Sequence, residues 1–365
     1  MRLALRLGAR GLGQVWPNPA VGCVIVKSDR VIGRGWTQPG GRPHAETQAL
    51  EQAGGTAHGA TVYVSLEPCA HIGQTLPCAD ALVAAAVARV VIAIQDPDPR
   101  TAGKGIARLR AAGIAVTVGV GEASARLVHA GFFARVTRNR PAVTLKLACS
   151  LDGRIATAAG ESRWITGPKA RAWVHATRAQ HDAVLVGAGT VRRDNPGLTV
   201  RGLGPTPQPV RVVLSRTLDL PRDGQLARTA RTVPLWLCHG PDAAPEALAA
   251  WTALGARCLP CRTAPPGDLL DVVDVMQVLG NAGLTRVLCE GGGALATALL
   301  AADMVDDLVG MTAGLILGAE GQPAIGAMGV TALATAPRLA LHRVTRCGAD
   351  TLTHWRRPAT DTAEG

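Results

Sequence analysis

The 365-residue chain is 47% hydrophobic and 18% charged, with a formal net charge of +11 and only 3% aromatic residues. This balance excludes a disordered or fibrous protein, and the length favours two domains with cores built from aliphatic residues and alanine. No apolar run reaches the ~18 residues a bilayer span needs, so no membrane partner is expected.

The chain opens on Met1-Arg-Leu-Ala-Leu-Arg-Leu7, which is amphipathic and lacks the long apolar stretch of a secretory signal. A helix over residues 2–10 and a cytoplasmic location are expected. Nine cysteines, an odd number without a small-scaffold spacing, read as reduced thiols in such a compartment. Pro17-Asn18-Pro19 is too proline-bound to be helical. Val21–Val26 and Val31–Trp36, joined by a turn at Ser28-Asp29, predict a hairpin. Asn18, fixed between prolines just before a core strand, is a candidate substrate contact or an ordinary turn residue.

The chemistry concentrates between residues 44 and 78. His44-Ala-Glu46 heads an apolar-periodic run, a strand follows at Thr61–Leu66, and then come Glu67-Pro-Cys69 and Pro77-Cys78. One imidazole and two thiolates form a borderline-soft set suited to Zn²⁺ with one coordination position left over. His44, Cys69 and Cys78 are therefore the expected zinc ligands. Glu46, as a carboxylate outside the ligand set, is the expected proton carrier, which is the division of labour of zinc deaminases. Residues two apart do not share a face inside a helix, so His44 and Glu46 are expected at its first turn. Cys69 and Cys78 each follow a proline and are both expected at helix starts, where the positive end of the dipole favours thiolate.

Eight residues, Ala70–Pro77, separate the two cysteines and include His71. Nucleic-acid and nucleoside deaminases carry Pro-Cys-x-x-Cys instead. The insertion argues for a small substrate that it can contact, and against base editing. Charge alone does not decide: residues 1–140 hold 16 Lys and Arg against 8 Asp and Glu, and residues 141–365 hold 22 against 19. The excess is scattered as single arginines with few aromatics for base stacking, and a small anionic substrate explains it as well as a polynucleotide does. The alternative is a nucleic-acid or nucleoside deaminase with an accessory nucleotide-binding domain.

A helix over 79–88, a strand over 90–94, a turn at Asp96-Pro-Asp-Pro-Arg100, a helix opened by Gly103-Lys-Gly105 and a strand over 113–118 complete an α/β domain. Arg138-Asn-Arg-Pro141 marks the boundary. Beyond it, strands are expected at 143–148, 183–186, 210–214, 233–238 and 286–289, and helices at 170–178 and 294–301. Two strand–Gly–helix junctions, Gly187–Thr190 and Glu290–Gly293, are candidate nucleotide-binding turns. Neither completes Gly-x-Gly-x-x-Gly, since Arg192 and Ala296 occupy the third glycine position. Cys258-Leu-Pro-Cys261 lacks a second cysteine pair and reads as incidental, and the last ten residues read as a frayed tail.

Taken together, Pro17-Asn-Pro-Ala-Val-Gly22, His44-Ala-Glu46, Glu67 through Cys78, Asp96-Pro-Asp-Pro, Lys146 through Arg154, Trp164-Ile-Thr, Val186 through Arg192 and Glu290-Gly-Gly-Gly293 resemble the bifunctional riboflavin-biosynthesis deaminase/reductase family over nearly the whole chain. The resemblance implies a cytidine-deaminase-like α/β/α sandwich over 1–140 and a dihydrofolate-reductase-like α/β domain over 141–365. It implies zinc-assisted hydrolytic deamination of 2,5-diamino-6-ribosylamino-4(3H)-pyrimidinone 5′-phosphate, then NADPH reduction of the ribosyl chain to ribityl. By position, Ala148, Trp164, Thr190, Asp194, Ser215, Gly292 and Gly293 would form the NADPH site. Asn18, His71, Ser162, Arg178, Leu198, Arg201 and Glu290 would meet the phosphorylated pyrimidine, with Arg178 and Arg201 clamping its phosphate. Lys146 and Asp194 are the candidate proton donors for reduction, and a homodimer through the reductase domain is implied. Leu76 and Asp98 depart from the family pattern, which has Pro and Asn there. The chain also starts directly on its first helix, which leaves an upstream start open.

Overall fold

The computed structural model describes residues 1–71, 76–265 and 269–358. The middle of the 70–77 insertion and most of the expected tail therefore lie outside the described residues. The chain divides into two compact units: Met1–Pro141 with Gly283–Thr285, and Ala142–Ala282 with Arg286 onward.

The first unit runs α1 (Arg2–Gly8), β1 (Gly22–Lys27), β2 (Arg30–Trp36), α2 (Ala45–Ala53), β3 (Thr61–Val64), α3 (Cys78–Ala84), β4 (Arg89–Ile92), α4 (Lys104–Ala111), β5 (Ala115–Val118) and α5 (Glu122–Arg138). Its sheet has the order β2-β1-β3-β4-β5, antiparallel through β3 and parallel beyond. Alternation along β1 assigns its two faces. Cys23 and Ile25 join Ala45 and Ala49 of α2 and Leu82 of α3, whereas Val24 packs with Ala4 and Leu7 of α1. Helices thus cover both faces. The seating of α2 depends on Gly35 of β2: a Cβ there would lie 2.1 Å from the Ala45 carbonyl oxygen. Helix and strand touch backbone to backbone, and this contact places His44 and Glu46.

The second unit runs β6 (Ala142–Cys149), β7 (Arg154–Ala156), α6 (Pro168–Arg178), β8 (Ala183–Gly187), α7 (Ala188–Asp194), β9 (Val210–Leu214), α8 (Gln225–Arg228), β10 (Leu235–His239), α9 (Pro245–Ala253), β11 (Arg257–Pro260), β12 (Thr263–Ala264), β13 (Leu269–Leu270), α10 (Val272–Asn281), β14 (Arg286–Cys289), α11 (Gly293–Ala301), β15 (Asp307–Thr312), β16 (Gln322–Pro323), β17 (Ala340–Cys347) and β18 (Asp350–Arg356). Among the described residues a nine-stranded sheet takes the order β11-β10-β9-β8-β14-β6-β15-β18-β17. Strands β11 through β15 are parallel, and the β17–β18 hairpin closes one edge antiparallel. Strands β9 and β10 are buried at every position, including Arg211 of β9 and His239 of β10, and their remaining residues are apolar. The carboxyl ends of the neighbouring strands β8, β14 and β6 carry Gly187, Glu290 and Lys146–Ala148, at the edge where open α/β sheets bind ligands. Ser150-Leu-Asp-Gly-Arg154 is a bonded turn. Arg154 N–H donates to Ser150 Oγ at 2.9 Å, and the Ser150 hydroxyl donates to Asp152 Oδ1 at 2.5 Å.

His181, buried in the connection between α6 and β8, sets an acid limit for this unit. Its Nδ1 lies 2.8 Å from the Thr177 carbonyl and its Nε2 2.9 Å from Thr144 Oγ1. A neutral ring satisfies both, with Nδ1–H donating to the carbonyl and Nε2 accepting from the hydroxyl. Burial, with Arg286 nearby, pushes its pKa down from 6.5 to about 4. Between those values the unfolded chain binds a proton that the folded chain refuses, so stability falls as pH drops through this window. Denaturant unfolding of the second unit should show a loss of about 2 kcal/mol between pH 6.5 and 5. His181→Gln should flatten that slope, and an unchanged slope would discount the His181 assignment.

Candidate active sites

In the first unit the ligand atoms of His44, Cys69 and Cys78 all lie within 4.8 Å of one another, the one such group among the described residues. His44 is the residue before the first turn of α2, and Glu46 lies within that turn, as their spacing requires. Cys78 opens α3 with Pro77 before it. Cys69 does not start a helix, contrary to the expectation. It sits in the loop after β3, and its sulfur accepts the Cys78 N–H at 3.3 Å. The thiolate assistance expected from a helix start thus reaches Cys69 from α3, across the insertion.

His44 Nδ1 lies 3.3 Å from Cys78 Sγ and 3.7 Å from Cys69 Sγ, so Nδ1 is the nitrogen turned to the cluster. Two thiolates this close repel, and the first charge settles on Cys69. Hydrogen bonding from the Cys78 thiol, aided by His44, pulls the Cys69 pKa down to about 4, while the Cys78 thiol is pushed up. A dication would stabilise both as thiolates. Two sulfurs and one imidazole nitrogen facing one point fit Zn²⁺. Glu46 is 3% exposed, and burial reinforced by the Cys69 charge raises its pKa to about 7.

The cluster opens on a cavity of about 490 Å³, also lined by Asn18, His71, Glu67, Asp96, Asp98, Arg100, Thr101, Phe132, Arg42 and Arg135. Two of the seven predicted substrate contacts, Asn18 and His71, therefore line the metal cluster's cavity, and His71 Nδ1 lies 3.3 Å from Thr101 Oγ1. Three features escaped the sequence reading. Helix α5, which brings Phe132 and Arg135, mixes apolar and basic residues without one clear apolar face. The Asp96–Thr101 turn was read as a turn and a family motif, without a place in the cavity wall. Glu67 is an anchor: its carboxylate accepts the N–H groups of Asp96 at 3.3 Å, Gly103 at 3.0 Å and Ile106 at 3.1 Å. It thereby caps α4 and ties the 96–103 turn to the Cys69 loop. Gly105 makes this possible, because a Cβ there would lie 2.1 Å from the Pro68 carbonyl oxygen.

In the second unit, Lys146, Ala148, Ser162, Thr190, Asp194, Glu290 and Gly292 line one cavity of about 180 Å³. A second, of about 400 Å³, takes in Gly187, Gly189, Thr190, Gly292 and Gly293. The two share Ile155, Thr190, Arg193 and Gly292, so they adjoin. Helix α11 starts beside them without a side-chain cap, so its first N–H groups are available to a phosphate. Uncapped N–H groups, glycine turns and Arg193 suit a dinucleotide such as NADPH. Lys146 is half-buried in the cavity wall near Glu290, and desolvation lowers its pKa.

The remaining predicted residues stand apart from these cavities. Arg178 is forked onto Glu290, with Nε to Oε1 at 2.6 Å and Nη2 to Oε2 at 3.0 Å, and gives Nη1 to the Thr199 carbonyl at 2.8 Å. It does not pair with Arg201, which is exposed and whose N–H donates to His175 Nδ1 at 3.2 Å. Leu198 is buried in the apolar cluster with Val191 and Val213, so its side chain is turned into the core. Ser215 is buried at the end of β9, and its N–H bonds the Cys238 carbonyl. Trp164 is exposed, with Arg171 stacked 4.5 Å over its ring.

Two family models match the chain. Residues 1–94 match the cytidine and deoxycytidylate deaminase zinc-binding region, and residues 141–353 match the RibD C-terminal domain. The riboflavin biosynthesis protein RibD of Escherichia coli is 40% identical over 97% of both chains, and that of Aquifex aeolicus is 37% identical over 98% of this chain and 97% of its own. Among solved structures, Acinetobacter baumannii RibD superposes with a TM-score of 0.87 at 38% identity, covering 97% of both chains. The Thermotoga maritima diaminohydroxyphosphoribosylaminopyrimidine deaminase/5-amino-6-(5-phosphoribosylamino)uracil reductase gives 0.84 at 34% identity, covering 98% of this chain and 97% of that one. The chain belongs to the RibD family of bifunctional riboflavin-biosynthesis enzymes, which join a zinc-dependent deaminase to an NADPH-dependent reductase.

Proposed function

We propose that His44 Nδ1, Cys69 and Cys78 hold the zinc and that Glu46 carries the protons of deamination. The convergence of this donor set with a buried carboxylate at one cavity supports the reading. Bound there, zinc supplies Lewis acidity that activates water. The substrate is 2,5-diamino-6-ribosylamino-4(3H)-pyrimidinone 5′-phosphate, with Asn18 and His71 orienting its ring. Glu46 accepts the proton of the attacking water and returns it to the departing nitrogen, which leaves as ammonia. A buried carboxyl two residues from a zinc ligand, outside the ligand set, is positioned to do both. Phe132 and Leu66 keep the cavity's inner wall apolar.

In the second unit the cofactor supplies a hydride to the ribosyl carbon. The turns at Gly187–Thr190 and Gly292–Gly293, with Arg193, hold its phosphates; Ala148, Trp164 and Ser215 complete its site. Lys146 and Asp194, at the same cavity as Glu290, are the groups placed to give the proton that completes reduction. Ser162, Arg201 and the backbone at Leu198 meet the substrate, while Arg178 acts through Glu290. No helix among the described residues is long and apolar enough to cross a membrane. We place the enzyme in the cytoplasm, acting on a small phosphorylated pyrimidine and not on nucleic acid. The edge strand β17 exposes Leu341 and Val344, which suits a homodimer through the reductase unit.

The test is metal analysis with an NADPH titration, followed by turnover of the diamino-pyrimidinone phosphate. One zinc per chain, stoichiometric ammonia release and NADPH consumption are expected. Chelation should abolish ammonia release and spare reduction of the deaminated intermediate. Zinc-loaded protein that releases no ammonia would refute the assignment.

A further inference from the structure

The deaminase cavity holds an apparent contradiction. Its substrate carries a phosphate, yet Asp98 lines the wall with its side chain 10% exposed. The turn that carries Asp98 is rigid. Pro97 and Pro99 flank it, the Asp98 N–H donates to Asp96 Oδ1 at 2.8 Å, and the Asp98 carbonyl accepts from Thr101 and Ala102, each at 2.8 Å. Glu67 fastens this turn to the Cys69 loop through the N–H groups of Asp96 and Gly103, which holds the Asp98 backbone at the cavity wall.

Its charge is instead matched on the spot. Arg100 Nε lies 3.0 Å from both Asp98 oxygens, Nη2 lies 2.5 Å from Oδ2, and the Arg100 N–H lies 2.9 Å from Oδ1. This fork saturates the carboxylate with one guanidinium and one amide. The Arg100 side chain is itself 68% exposed, so most of it is in water while its head covers the acid. Two of the other lining acids are dealt with differently: three N–H groups solvate Glu67, and burial raises the Asp96 pKa to about 7, which leaves it only partly charged near neutrality.

From this geometry we infer that Arg100 is a built-in counter-ion: it cancels Asp98 so that the cavity accepts a phosphorylated substrate, without itself gripping the phosphate. Arg100 is then a positioning and specificity residue acting through Asp98. The inference rests on this cavity being the deaminase substrate site.

Three full-length, zinc-loaded variants test it by steady-state ammonia release. Arg100→Gln should raise KM for the phosphorylated substrate roughly tenfold, the scale of one partly screened charge interaction, and leave kcat within about twofold. The increase should shrink as salt is added. Asp98→Asn combined with Arg100→Gln should bring KM back to within about threefold of wild type, because no charge is left to cancel. A double variant as weak as Arg100→Gln would overturn the inference in favour of a direct Arg100–phosphate contact. An unchanged KM in Arg100→Gln would overturn it as well. NADPH-dependent reduction by the same preparations reports intact protein, and the pairing of a KM effect with rescue separates charge cancellation from loop damage. Glu46→Gln serves as the control on the site: if it retained turnover, the site assignment itself would fail, whatever Arg100 shows.

Discussion

Glu46→Gln is expected to lower the rate of ammonia release by about 10²–10⁴-fold, the range that a positioned proton carrier contributes. It should leave zinc content and reduction of the deaminated intermediate at wild-type levels. The substitution keeps the volume and the buried polar end of a side chain that is 3% exposed, so packing against the first turn of α2 is undisturbed. What it removes is the titratable oxygen. The effect should fall on kcat rather than KM, because the proton moves in the transition state and not in the resting complex. The three ligating side chains remain, so metal analysis separates lost chemistry from lost zinc. Retention of more than about a tenth of the wild-type rate would remove Glu46 from the proton path.

The legibility of this site in the sequence followed the range of the forces involved. His44, Glu46 and Cys78 were readable because first-turn geometry is local: a proline, a spacing of two and an apolar run suffice to fix it. Cys69 was readable as a ligand but not in its surroundings, because its sulfur is served by an N–H nine positions along, on the far side of an insertion with no periodicity. Glu67 looked like part of a Glu-Pro-Cys signature, yet its three N–H donors lie 29 to 39 residues away. Most strands were legible from their apolar runs, but β11 and β15 were not, and neither was the β17–β18 hairpin, which is exposed along most of one strand. In the second unit the glycine turns stood out, because backbone approach to a ligand demands them. The fate of Arg178 did not: nothing near it in sequence shows that its partner is Glu290, 112 positions on.

That ion pair carries the other large expected effect. Arg178→Met should destabilise the second unit by about 3–5 kcal/mol, because the side chains of Arg178 and Glu290 are only 11% and 10% exposed and removal strands a buried carboxylate. Arg178 holds the Glu290 pKa down against a desolvation that would raise it, and Lys146 makes a smaller contribution in the same direction. Methionine fills the aliphatic volume of the arginine stem but supplies none of the three hydrogen bonds, including that to the Thr199 carbonyl. Replacing both partners, Arg178→Met with Glu290→Gln, should recover at least half of the lost stability, since the cost lies mainly in the unpaired charge and less in the missing pair. Reduction should stay at least tenfold impaired in the double variant, because Glu290 faces the cavity that holds Lys146 and Asp194. A direct grip of Arg178 on the substrate phosphate makes a different prediction: a raised KM in the single variant, an unchanged denaturant midpoint and no gain in stability from the second substitution. Denaturant unfolding of the single and double variants, read beside KM for the deaminated intermediate, decides between a structural ion pair and a phosphate clamp.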